Sequence, residues 1–153
     1  MAEIIVLIGI PGSGKSTFYD SHLGNSHERV SLDIVRTRKC EDKLLNKLFQ
    51  RRAKIVIDNT NPSVLIRRKY IELAKRNRYK IYGYQFESKP DDCKLRNSRR
   101  NGRKRVPDVA IDVIHSNLQD PTIDEGFDNI YFVRISNEIF IVEEIKDDSK
   151  KLF

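Results

Sequence analysis

Four stretches of this sequence carry residue types whose spacing could do chemistry. Residues 9–17, Gly-Ile-Pro-Gly-Ser-Gly-Lys-Ser-Thr, fit the pattern G-x-x-x-x-G-K-[ST], with Gly9, Gly14, Lys15 and Ser16 in the fixed places. Glycines let the backbone curl until successive N–H groups converge on phosphate oxygens at the point where a helix begins. Gly12, Ser13, Gly14, Lys15, Ser16 and Thr17 are therefore candidate contacts for ATP or another nucleoside triphosphate. In that pattern the lysine bridges the β- and γ-phosphates and the Ser16 hydroxyl ligates Mg²⁺. A plain Gly-rich turn would not need the lysine, the hydroxyl and the four-residue spacing together.

Two of the other stretches carry carboxylates. Asp33 and Arg36 lie three apart, so in a first helical turn they share a face. There the carboxylate could take the proton of an attacking hydroxyl while the guanidinium held an anion of the same acceptor. An Asp N-cap followed by a solvated Arg has the same spacing. Asp58 follows an apolar run, a position from which a carboxylate can hold Mg²⁺ or its waters, although a turn-forming Asp also fits. Asn61 stands close behind it as a further acceptor-side candidate. The fourth stretch, residues 94–105, holds seven basic residues and no acidic one, with Arg96 and Arg100 four apart and Gly102 as a hinge. It could close over a triphosphate as a lid that supplies an arginine finger in cis, or it could be a solvated basic surface.

These residues need a scaffold that brings them to one edge. Residues 4–8, Ile-Ile-Val-Leu-Ile, read as a strand buried on both faces. A helix should follow the loop to about Leu23, with Gly24 and Asn25 as stop residues. Arg29 to Leu32 reads as a second strand, with Asp33 capping the next helix. Residues 40–53 place Leu44, Leu45, Leu48 and Phe49 on one helical face. Lys54 to Asp58 repeats the first strand's signature. Asn61-Pro62 reads as the start of a helix running to about Asn77. That helix should bury Ile66, Tyr70, Leu73 and Ala74 and turn Arg67, Arg68, Lys69, Lys75 and Arg76 outward. Tyr79 to Phe86 is the next strand. Helices over 91–102 and 107–118 precede a strand over 129–135, which pairs with 138–142 across a Ser136-Asn137 turn. Strands alternating with helices predict an α/β fold of three layers, with a mostly parallel sheet flanked by helices. The nucleotide is expected at the carboxyl ends of the strands.

Composition sets the outer bounds. The 153 residues suit a single domain over 1–145 with a polar tail at 146–153. With 39% hydrophobic and 33% charged residues, and no apolar stretch near the ~20 residues of a membrane helix, the expectation is a cytoplasmic globular protein. Cys40 and Cys93 are expected as reduced thiols. His22, His27 and His115 show no ligand spacing and are expected on the surface. A net charge of +7, from 29 basic and 22 acidic residues, together with the clustering at 94–105, points to a polyanionic partner.

Taken in order, the residue 9–17 loop, Asp33 with Arg36, Ile-Asp-Asn-Thr-Asn-Pro at 57–62, and Arg-Asn-Ser-Arg-Arg at 96–100 before Val106-Pro107 resemble the polynucleotide 5′-kinases. The likeness is to the kinase domain of the polynucleotide kinase-phosphatases and covers about residues 3–135. The resemblance implies a P-loop kinase fold and ATP-dependent phosphorylation of a DNA or RNA 5′-hydroxyl. It implies that Asp33 is the general base, that Arg36 contacts the phosphate adjoining the acceptor nucleoside, and that Lys15 and Arg100 grip the donor phosphates. Asp58 would belong to the floor of the site. Arg99, Arg103, Lys104 and Arg105 surround Arg100, which leaves the identity of the finger open. Relatives of this kind are usually fused to a phosphatase or ligase. Neither a D-x-D-x-T nor a K-x-D-G motif occurs here, so end healing or ligation is expected from a separate partner.

Two rival functions share parts of the pattern. A small-molecule kinase acting on a sugar, antibiotic or nucleoside would use the loop, Asp33 and the lid but leave the basic helix idle. An ATP-gated nucleic-acid-binding module would need no carboxylate beside its polyanion.

Overall fold

The structure, a computed structural model, describes residues 2–102 and 105–146. Arg103 and Lys104 of the expected lid, and all but the first residue of the expected tail, lie outside the described residues.

Strand β1 (Glu3–Ile8) is the centre of a six-stranded sheet of order β2-β3-β1-β4-β5-β6. Its apolar run explains the place: Ile4, Val6 and Ile8 point to one face and Ile5 and Leu7 to the other, and all five are buried. Strands β2 (Glu28–Val30), β3 (Ile55–Asp58), β4 (Lys80–Phe86) and β5 (Asn129–Ser136) continue the parallel sheet, and β6 (Ile139–Ile145) returns antiparallel to β5. The β5–β6 turn falls on Asn137 and Glu138, both with positive φ (51° and 63°), one residue later than the sequence suggests. That pairing suits the tight reversed turn that matches strand twist.

Helices cover both faces. On one face α3 (Arg38–Gln50) and α4 (Val64–Arg76) bury Leu45, Leu48, Tyr70 and Ala74 against Ile4, Val6, Ile8, Ile55 and Ile57. On the other, α1 (Lys15–Phe18), prolonged by a wide π-type turn over Tyr19–Leu23, sets Phe18 and Leu23 against Ile5, Leu7 and Val56. Each such aliphatic side chain contributes about 1.5–3 kcal/mol on burial. A third cluster, Ile10, Cys93 and Ile111, anchors α5 (Pro90–Ser98) and α6 (Asp108–Asn117) beside the loop that follows β1. The three-layer α/β fold is thus as expected. No helix among the described residues is long and apolar enough to cross a membrane.

Several local expectations need correction. Ser31, not Asp33, caps the short helix α2 (Leu32–Val35): its hydroxyl accepts from Asp33 N at 3.3 Å. Arg36 then ends that helix with φ 69°, so Asp33 and Arg36 do not share a helical face. Ser63, not Asn61, caps α4. The buried stripe of α4 is Arg67, Tyr70, Ile71 and Ala74, so Arg67 lies inside, 0% exposed, paired to Glu125 at 2.8 Å. Helix α5 stops at Ser98. His27 is buried rather than on the surface, its Nε2 2.8 Å from Glu3 Oε1. Cys40 and Cys93 are both free.

Candidate active site

The order of strands reverses around β1: the chain runs from β1 out to β2, returns to β3 on one flank of β1, and then crosses to β4 on the other. The loop at 9–14 therefore leaves β1 at the crevice where parallel sheets take their ligands. Gly12 and Gly14 have φ of 85° and 100°, values an L side chain rarely adopts. A Cβ at Gly12 would also collide with the Cys93 carbonyl oxygen, because α5 packs directly on the loop. Arg96 fixes that contact by donating from Nη1 to Gly12 O at 3.0 Å.

Lys15 is buried, and its ammonium donates to the loop's own carbonyls, Gly9 O at 2.7 Å and Ile10 O at 3.0 Å. Burial pushes its pKa down to about 8; Asp58 opposes the shift and the Arg100 charge adds to it. Asp33 also acts on this ammonium electrostatically. Charges from three other stretches, at Asp33, Asp58 and Arg100, thus act on Lys15.

The segment 57–62 holds this field together. Asp58 Oδ2 accepts from Ser16 Oγ at 3.1 Å and from Arg29 Nε at 2.8 Å. Asn59 Oδ1 accepts from Leu32 N at 2.9 Å, tying the Asp33 helix to the end of β3. Thr60 O accepts from Gly9 N at 3.2 Å. Asn61, with φ 49°, is buried and donates its amide to Leu7 O at 2.7 Å. Asn61 is thus a strut between β1 and β3, its side chain turned into the protein, rather than the acceptor contact its position suggests.

Sequence reasoning missed two groups. Arg29, in the middle of β2, reaches both Ser16 and Asp58. Asn97 is fully buried and makes a reciprocal pair with Val106, donating from Nδ2 to its carbonyl at 2.6 Å and accepting from its N–H at 3.0 Å. This pair ties the last turn of α5, just before Arg99 and Arg100, to Val106. The only sequence signal for it is an amide near a Gly-containing loop.

The basic helix changes meaning as well. Arg67 faces Glu125, Lys69 contacts Glu41 and Asp42 at 2.9 and 2.7 Å, and Lys75 lies 3.8 Å from Asp128. Arg68, Lys75 and Arg76 are the basic residues exposed on the outer surface of α4.

Comparison with known proteins gives the family and the fold. The family model of the AAA domain matches residues 4–121. A Schizosaccharomyces pombe protein named bifunctional polynucleotide phosphatase/kinase is 33% identical over 132 residues, spanning 84% of this chain and 32% of that protein. An Acanthamoeba polyphaga mimivirus protein, provisionally given the same name, is 35% identical over 136 residues with the same coverage of each chain, 84% and 32%. The chain thus spans about a third of the length of these curated relatives. Among solved structures, a gluconokinase from Sinorhizobium meliloti 1021 superposes with a TM-score of 0.61 at 18% identity, covering 89% of this chain and 84% of its own. At that identity the likeness speaks for the fold alone.

Proposed function

The chain belongs to the AAA domain family, and from that premise we propose that it transfers the γ-phosphoryl group of ATP to the 5′-hydroxyl of a nucleic-acid end. The observation that carries the reading is the Asn59–Leu32 bond, which docks the Asp33 helix against the strand end bearing Asp58, within the electrostatic reach of Lys15. A donor loop and a carboxylate thereby share one crevice. The names of the two relatives, whose likeness spans 84% of this chain, support nucleic acid as the acceptor class.

In this reading Gly12, Ser13, Gly14, Ser16 and Thr17 cradle the triphosphate, and Lys15 leaves the loop carbonyls to meet the β- and γ-phosphates. Arg100, with Arg96 beside the loop, neutralises charge on the donor. Asp33 accepts the proton of the 5′-hydroxyl as its oxygen bonds to the γ-phosphorus and the bond to the bridging oxygen of ADP breaks. Arg36 holds the phosphate next to the acceptor nucleoside. Asp58 forms the floor. Ser16 Oγ and Asp58 Oδ2 suit Mg²⁺, since two hard oxygens 3.1 Å apart already share a cationic partner, the Arg29 guanidinium. When bound, Mg²⁺ would neutralise the phosphate oxygens. The proposal covers the kinase reaction; healing of 3′ ends and sealing are assigned to other active sites.

Asp33→Ala is expected to lower transfer by about 10²–10⁴-fold while leaving ATP affinity within about twofold. Single-turnover transfer and equilibrium ATP binding on the same preparation check this. A variant with unimpaired transfer would remove Asp33 from the mechanism.

A further inference from the structure

Arg29 has no place in the transfer mechanism, yet its guanidinium makes three polar contacts in the site. Parallel pairing sets Arg29 opposite Val56, and Asp58 lies two residues further along β3, on the same face. The guanidinium therefore runs along that face toward the phosphate loop. Its Nε donates to Asp58 Oδ2 at 2.8 Å, its Nη2 lies 2.7 Å from the same oxygen, and Nη2 donates to Ser16 Oγ at 3.0 Å. Below it the Tyr19 ring lies 5.7 Å from the guanidinium carbon, and the Tyr19 hydroxyl is pinned to His27 O at 2.6 Å.

One cation thus covers both candidate Mg²⁺ oxygens, the loop's Ser16 Oγ and Oδ2 of Asp58 at the end of β3. The Asp58 side chain is 3% exposed and that of Arg29 is 27% exposed, so the arginine has a route to solvent that the aspartate lacks. A divalent ion on the same pair of oxygens would lie within a few ångströms of the guanidinium, a like-charge contact in a partly buried site that favours one cation over both.

We propose that Arg29 is a resident counter-cation of the metal site: it holds the Ser16–Asp58 oxygen pair until a divalent ion arrives with the nucleotide and displaces its guanidinium. The inference rests on the nucleotide-and-metal reading of the loop. Its consequence is a raised metal requirement. Asp58 stays paired when the nucleotide is absent, and metal entry is coupled to withdrawal of a side chain on the edge strand that leads into the Asp33 helix.

The test is a Mn²⁺ titration of the full chain with saturating ADP, followed by electron paramagnetic resonance. Arg29→Gln should reach half-saturation at about tenfold lower Mn²⁺ than the parent, because one competing positive charge is gone. Equal or weaker Mn²⁺ binding in the variant would overturn the proposal and make Arg29 a positioning partner of Asp58. If the parent binds ADP but takes up no Mn²⁺, the metal reading itself fails, which is a different result. A second readout needs no variant. The Arg29 Nε–H, held by a buried carboxylate, should exchange slowly in the metal-free protein and at least tenfold faster once Mg²⁺ and ADP are bound. Unchanged protection with both bound would equally overturn the displacement.

Discussion

Two carboxylates in this molecule are buried to almost the same degree and are built for opposite ends. Glu41, on α3, is 0% exposed; Arg38 Nη1 approaches its two oxygens at 3.2 and 3.3 Å, the Tyr70 hydroxyl lies 3.1 Å from each, and Lys69 Nζ donates to Oε1 at 2.9 Å. Burial, with the Glu41 charge beside it, pushes the Tyr70 hydroxyl well above its ordinary pKa, so it stays a donor. Asp58, at the end of β3, accepts on Oδ2 from Arg29 and from the phosphate-loop serine. The difference teaches that burial alone does not mark a site. Glu41 is saturated by side chains that join two helices, whereas Asp58 shares its donors with a loop shaped for an anion.

The comparison can be broken from either side. Asp58→Ala should cut transfer by about 10²–10³-fold and cost only about 1–2 kcal/mol of stability, since Arg29 can turn to water. Glu41→Ala should do the reverse. It strips the common partner from Arg38, Lys69 and Tyr70, costs about 3–5 kcal/mol in denaturant unfolding, and leaves transfer per folded molecule within about twofold of the parent. If Glu41→Ala loses transfer without losing stability, the two roles have been assigned the wrong way round.

Lys15 sharpens the contrast through pH. Its folded-state pKa is lowered to about 8 from 10.5. Below pH 8 both folded and unfolded chains carry the proton, and the folded chain bears the full penalty of the buried ammonium, about 3 kcal/mol. Between pH 8 and 10.5 the unfolded chain binds more protons, so this group makes stability rise with pH. Phosphate oxygens favour the charged form, so nucleotide binding in that window should take up a proton and weaken as pH rises. Calorimetry in buffers of different ionisation enthalpy measures the uptake; none at pH 9 would contradict the burial argument.

A smaller effect is expected where Asn97 meets Val106. Asn97→Ala removes both bonds to Val106 and should raise the KM for ATP by about three- to tenfold, with kcat less affected. Amide exchange over residues 98–102 and 105–106 should speed up in the same variant. A changed KM with unchanged exchange would place Asn97 elsewhere in the mechanism.

Much of this architecture was legible in the sequence because it rests on local rules. The apolar run of β1, the glycines of the loop and the carboxylate closing β3 each declare themselves within a few residues. What escaped notice depends on contacts between distant segments. Arg29 lies 29 residues from Asp58, and Arg96 lies 84 from Gly12, so no spacing rule reaches them. Arg67 and Glu41 are more instructive, because their signal was present. Positions 67, 70, 71 and 74 have ideal helical spacing, as do 41, 45 and 48. Each stripe contains a charged residue that a polarity rule assigns to solvent. A charge inside an apolar stripe calls for a buried partner, here Glu125 for Arg67 and Arg38, Lys69 and Tyr70 for Glu41. Asp33 shows the opposite error: a carboxylate before a helix reads as a cap, yet Ser31 takes that place and leaves Asp33 within the helix it starts.

The central claim, that the crevice joining Lys15 and Asp33 phosphorylates a nucleic-acid 5′-hydroxyl, is tested most directly by transfer of labelled γ-phosphate from ATP. The acceptors are 5′-hydroxyl DNA and RNA oligonucleotides, the same oligonucleotides with a 5′-phosphate, a nucleoside 3′-monophosphate, and gluconate as a sugar-acid control. The account predicts label on the 5′-hydroxyl oligonucleotides and on the nucleoside 3′-monophosphate, with affinity for the longer acceptors falling steeply as salt rises. Label on gluconate with none on any 5′-hydroxyl nucleotide would contradict it.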